Sequence, residues 1–148
     1  LENPFLNLEN IIDEVNLLSN DHLIIVDVHG ESTSEKMAIA HFLDGKVTAV
    51  VGTHTHIPTS DLQILTHGTF YQTDLGMCGD YDSVIGMKKE LSIKRFLFKH
   101  IKTRLEPAEG IGTLCGVILE IDLKTKKVIN FKQILKDGLL DTENGRTF

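Results

Sequence analysis

The sequence predicts an α/β protein built on a parallel sheet, and three observations carry that prediction. "HLIIVDV" (22–28) and "KVTAVVG" (46–52) are short β-branched runs of the kind that form buried strands. Between them Ser32 and Glu35 stand at capping-box spacing, which starts a helix. The chain has 148 residues, 41% hydrophobic and 24% charged, the size and composition of one globular domain with a single core.

The elements follow in order. Asn3-Pro4 reads as N-cap and first helical position, and Phe5, Leu8, Ile12 and Val15 fall on one face at helical spacing, so residues 4–19 are expected as a helix. After the first strand, "HGESTSEK" opens a helix that should span 33–44 and close near Gly45. The second run then returns beside the first, making residues 23–52 a βαβ unit. "TFYQTD" (69–74) reads as a further strand and "SIKRFLFKHIKTR" (92–104) as an amphipathic basic helix. "TLCGVILEID" and "KVINFKQIL" form a late antiparallel pair joined by the polar turn "LKTKK". Residues 137–148, "DGLLDTENGRTF", carry little pattern and are expected to fray.

Charge and composition exclude several functions. Lys+Arg 15 against Asp+Glu 21 gives a formal charge of −6, without the basic footprint of a protein that wraps nucleic-acid phosphate, so long nucleic acid is not an expected partner. A small anionic substrate would need local help, such as a metal ion. No apolar run nears the ~18 residues of a membrane span and no basic-then-apolar leader opens the chain, which makes the cytoplasm the expected location. Cys78 and Cys115 lie far apart without a Cys-x-x-Cys and are read as buried or loop thiols without a role. Leucine at position 1 points to a fragment, a processed chain or an unusual start codon.

The chemistry gathers in "VVGTHTHIPTSD" (50–61). His29 and His54 each follow the end of a predicted parallel strand, where open α/β sheets build their sites. In an extended loop residues two apart project to the same side, so His54 and His56 can face one point in space. With His29 they form a three-imidazole set suited to zinc, iron or manganese. His22, His41, His67 and His100 are read as structural.

These motifs resemble a known family. "GTHTH" is similar to the Gly-His-x-His motif of calcineurin-like metallophosphoesterases, whose histidines ligate a two-metal centre. The longer stretch "VDVHGESTSEKMAIAHFLDGKVTAVVGTHTHIPTSDLQIL", followed by "GTFYQTDLGMCGDYDSVIGMKKE", resembles the YmdB-like branch, implicated in hydrolysis of 2′,3′-cyclic nucleotide phosphodiesters. The resemblance runs over about residues 1–135. It implies that His29 and His54 bind one metal ion and His56 the other, with iron, manganese or zinc as cofactor. The family usually reads Asp-Phe-His-Ala-Glu where this chain has Asp27-Val28-His29-Gly30-Glu31, a change that leaves the ligand intact. Thr53, Thr55 and Thr59 are candidates for bonds to neighbouring groups or to phosphate. Asp74, Gly76, Gly79, Asp80 and Asp82 in "DLGMCGDYDS" either shape a rim or form a turn-rich loop of solvated acids.

The same resemblance implies a four-layer α/β/β/α sandwich of which this chain is the second half, with residues 1–136 as the carboxyl-terminal part of the domain. The family's first-strand aspartate, its Glu-Asn pair and its Gly-Asn-His segment have no counterpart here. No residue of this chain is therefore assigned as catalytic. Three readings result: half of a phosphodiesterase, active only when complemented by an N-terminal half or a second copy; an inactive remnant or interaction module; and, more remotely, a mononuclear histidine-metal protein.

Overall fold

The computed structural model describes residues 3–19, 21–98, 100 and 102–142. Helix α1 spans Pro4–Leu18, capped by Asn3, whose side chain accepts from Phe5 N at 3.0 Å, with Pro4 at the position where a missing N–H costs nothing. Strand β1 (Ile25–His29) leads through the Ser32 cap into α2 (Thr33–Phe42) and back to β2 (Ala49–Thr53). The two strands are parallel and adjacent, from Ile25 opposite Ala49 to His29 opposite Thr53. The expected βαβ unit is therefore present, with both strands starting about three residues late.

The short strand β3 (Gln63–Ile64) was not anticipated, and it pairs antiparallel with β4 (Phe70–Gln72). Strand β4 runs parallel to β2, so the sheet order is β1-β2-β4-β3. Helix α3 covers Lys89–Leu97 rather than 92–104: Phe98 leaves helical geometry, and the chain beyond it returns to pair Lys88 N with Glu106 O and to bridge Met87 with Pro107. A tertiary pairing there overrides a helical pattern that weakens in the β-branched residues after Phe98. Residues 99 and 101 of that stretch lie outside the described residues. Strands β5 (Leu114–Asp122) and β6 (Lys127–Lys136) form the expected antiparallel hairpin. Of the expected tail, residues 137–142 turn back on this hairpin, where Thr142 N donates to Leu135 O, and 143–148 lie outside the described residues.

Alternation along β2 organises the core. Val50 faces α1 and α2, packing with Val26, Ile12, Ile39 and Tyr71, whereas Ala49 and Val51 face the β5–β6 hairpin with Phe70 and Val128. Three layers result: helices, mixed sheet, hairpin. Among the described residues no helix is long and apolar enough to cross a membrane. The arrangement presents the carboxyl ends of β1 and β2, and the loop after β2, side by side at one end of the sheet.

Candidate metal centre at the strand tips

His29 is the last residue of β1 and stands opposite Thr53, the last residue of β2, so the parallel register carries His29 next to His54. His29 Nε2 lies 3.0 Å from His54 Nδ1, with the rings at 89°. Two ring nitrogens facing each other at that distance need a proton or a cation between them. Nitrogens bound at about 2.0–2.1 Å to one zinc ion, at angles between octahedral and tetrahedral, are separated by about 2.9–3.4 Å. The pair fits two adjacent ligands of one ion.

Hydrogen bonds fix which nitrogen of each ring faces outward. Thr53 Oγ1 donates its single proton to Asp27 Oδ1 at 2.9 Å, so it accepts from His29 Nδ1 at 3.1 Å, and His29 Nε2 keeps its lone pair toward His54. His54 Nε2 is held by Glu31 Oε2 at 2.9 Å, which leaves Nδ1 toward His29. His56 Nδ1 donates to the carbonyl of Ile85 at 3.1 Å, leaving Nε2 available. A carboxylate or carbonyl on the far nitrogen is the usual support of a metal-ligating imidazole.

The loop itself is not extended as expected. His54 has φ 113° and His56 φ 70°, conformations that cost non-glycine residues of order 1–3 kcal/mol and persist only where surroundings enforce them. The enforcement comes from a buried pair. Lys36, on α2, and Asp74, after β4, are each 1% exposed, with Nζ and Oδ2 3.6 Å apart. Lys36 Nζ donates to Thr53 O, and Asp74 Oδ2 accepts from Thr55 N and Thr55 Oγ1, each at 2.8 Å. The pair thus grips the chain on both sides of His54. Met77 N and Tyr81 OH both donate to His56 O at 2.9 Å, and burial holds the Tyr81 phenol well above its ordinary range. Gly52 is required beneath the loop, since a Cβ there would lie 1.8 Å from Thr73 O and 2.7 Å from Lys36 Cδ.

The structure brings His29 and His54 together, with Glu31 behind them. Among the described residues no three His, Cys, Asp or Glu side chains gather into one metal-holding group, and His56 is anchored toward Ile85. Asp74 is not on a rim but in the core, where it also accepts from Gly76 N. Asp80 instead turns its own loop, accepting from Asp82 N and Gly110 N, and Asp82 pairs with Lys89. Thr55 and Thr59 bond to Asp74, and Thr53 to Asp27 and His29, so all three threonines serve neighbouring groups. Lys36 gave little sequence signal, because a lysine in a helix is ordinarily solvated. Its one clue was a polar residue on the helix face shared with Ile39 and Ala40. Cys78 and Cys115 are both free thiols.

The protein is an α/β protein that carries its candidate site, imidazoles with supporting carboxylates, beyond the carboxyl ends of adjacent parallel strands, where open α/β sheets place theirs. The particular family follows from comparison: a family model described as YmdB-like protein matches residues 1–134, and the chain belongs to that family. It is 45% identical over 135 residues to a Bacillus subtilis 2′,3′-cyclic-nucleotide 2′-phosphodiesterase, covering 91% of this chain and 50% of that protein. A crystal structure of a phosphatase from Mycoplasma pneumoniae superposes with a TM-score of 0.79 at 42% identity, covering 92% of this chain and 48% of that one. A crystal structure of a hypothetical protein from Thermus thermophilus gives 0.80 at 38% identity, covering 91% of this chain and 51% of that one. The chain thus spans about half the length of the curated relatives it matches, and named relatives make the family one of phosphoesterases.

Proposed function

We propose that this chain supplies part of the metal centre of a phosphodiesterase acting on 2′,3′-cyclic nucleotides. The observation that carries the reading is the 3.0 Å approach of His29 Nε2 to His54 Nδ1, each ring supported on its far nitrogen. Kinship to a named cyclic-nucleotide phosphodiesterase supports the choice of substrate.

On this reading His29 and His54 hold one divalent ion, iron, manganese or zinc, and His56 Nε2 contributes to a second. Bound ions would supply an activated water and neutralise charge on the phosphoryl oxygens. The chain's own residues bind and orient. Asp27 and Thr53 set the His29 tautomer, Glu31 holds the His54 ring, and Lys36 with Asp74 fixes the loop between the ligands. Two imidazoles are fewer than the three protein ligands of an ordinary catalytic zinc site. Further ligands and a proton donor would come from a segment equivalent to the part of the relatives this chain does not span, or from a second copy. That segment would also complete the four-layer sandwich, and the cytoplasm is the setting proposed for the whole.

A second reading, a non-catalytic module that keeps the fold, is favoured by the absence of a three-residue metal group among the described residues. One experiment separates the two: hydrolysis of 2′,3′-cyclic AMP with manganese, by this chain alone and with the remaining segment of a relative added in trans. Turnover that appears only on complementation and is lost in His54→Ala supports the first reading. No turnover under any complementation supports the second.

A further inference from the structure

A cavity of about 300 Å³ opens beside the histidine loop, lined by Val84, Ile85, Met87, Ser92, Phe96 and Leu105, together with Arg95. Its volume is at the lower end for a small-molecule site, and its lining, apolar with a few polar groups, has the usual character of one. Helix spacing explains one wall. Ser92, Arg95 and Phe96 stand at i, i+3 and i+4 on α3 and so share a face.

The other wall is a tight turn in which Val84 and Met87 exchange both backbone hydrogen bonds around Ile85 (φ 48°) and Gly86 (φ 93°). A positive φ is natural for Gly86 and strained for a β-branched residue such as Ile85. That strained residue links the cavity to the candidate metal centre. Its carbonyl accepts from His56 Nδ1 at 3.1 Å, while the residue itself lines the cavity.

One side chain of the lining carries a hydroxyl that the fold leaves unpaired. Ser92 is 3% exposed, and its Oγ has no hydrogen-bond partner among the described residues. A buried hydroxyl left unpaired is costly and rare. Arg95 is exposed, and Phe96 is 72% exposed, an aromatic ring open to an incoming molecule. An aromatic face, a guanidinium plane and one buried hydroxyl suit a flat heterocycle with a polar edge.

We propose that this cavity is the subsite for the nucleobase of the substrate, the base lying on Phe96 with its polar edge toward Ser92 Oγ. The inference rests on the phosphodiesterase reading. It accounts for why the turn that anchors His56 also forms the cavity wall: the base would be held on one side of Ile85 and the cyclic phosphate on the other.

The test is NMR titration of the chain with adenosine, which carries no phosphate and needs no metal. Saturable shifts should centre on the amides of Ile85, Met87 and Phe96. Phe96→Ala should weaken binding about tenfold, within the range known for base-aromatic stacking. Ser92→Ala should weaken adenosine but leave naphthalene, a flat ring system with no heteroatom, unchanged. Unaltered shifts elsewhere verify that both variants fold. Absence of saturable shifts, shifts centred elsewhere, or equal loss of adenosine and naphthalene in Ser92→Ala would overturn the subsite. A separate manganese titration, read at His29 and His54, tests the metal centre, so failure of either reading is seen independently.

Discussion

Lys36 Nζ lies 3.6 Å from Asp74 Oδ2 in a pair whose side chains are each 1% exposed, and the same two residues bond the backbone on either side of His54. Removing one partner leaves the other charge buried without compensation, a change that typically costs about 3–5 kcal/mol. Lys36→Met is therefore expected to lower the urea midpoint sharply. Lys36→Met with Asp74→Leu should recover part of that loss, since an apolar pair of similar volume often replaces a buried ion pair. Hydrogen exchange supplies a second readout. The Thr55 amide, which donates to Asp74, should lose protection in both variants, because only the charged pair grips the loop.

Gly52 makes a different kind of demand. Its Cα approaches the chain after β4 so closely that a Cβ would stand 1.8 Å from Thr73 O, a backbone atom that cannot rotate away. Gly52→Ala must displace that neighbouring chain or break the contact, and overpacking of this severity should cost about 3 kcal/mol or more. The check is thermal unfolding beside Gly30→Ala, where nothing lies within 4 Å of the added carbon and the change should be small.

The contrast between Gly52 and His54 shows what was legible in the sequence. The β-branched runs and the Ser32 cap placed β1, α2 and β2 as a parallel unit, because strand burial and helix capping are local signals. Placing His29 beside His54 followed from that topology. The backbone of the loop did not follow, since His54 and His56 take positive φ only because Lys36, Asp74 and Tyr81 hold them from elements distant in sequence. The early end of α3 has the same origin: pairing of Lys88 with Glu106 competes with helical continuation, and periodicity cannot see a competitor ten or more residues away.

Acid should unfold this protein through its hydrogen-bonded carboxylates. Burial alone would raise the Asp61 carboxyl, but hydrogen bonds from Thr59 and Thr73 outweigh it and hold the group below 3.8. Asp44 is likewise lowered: burial pushes up, and bonds from His67 and Thr69 overcome that push. A carboxyl depressed in the folded state contributes stability that is complete above the unfolded value and lost as pH falls through the folded one. Stability should therefore be steady near neutrality and drop below pH 3.8. In Asp61→Asn the difference from the parent chain should be largest at neutral pH and shrink through that acid window, measured by urea unfolding at stepped pH. A difference that stays constant through the whole acid window would contradict the assignment.

Metal affinity should depend on residues that touch no metal. Glu31 holds His54 Nε2 at 2.9 Å while its own side chain is 84% exposed, so Glu31→Gln disturbs the ring's orientation and basicity without disturbing the core. Loss of such a supporting carboxylate typically lowers metal affinity about 10–100-fold, and exposed substitutions usually leave stability within about 0.5 kcal/mol. Thr53→Val should act similarly through His29, because it removes the hydroxyl that passes a hydrogen bond from the ring to Asp27. Calorimetric titration with zinc is the measurement, and His54→Ala is the reference for loss of a direct ligand. If His54→Ala abolishes binding and Glu31→Gln and Thr53→Val weaken it, the ion sits between His29 and His54. Binding unchanged in all three variants would place any zinc elsewhere, and the 3.0 Å approach of the two rings would then be an ordinary hydrogen bond.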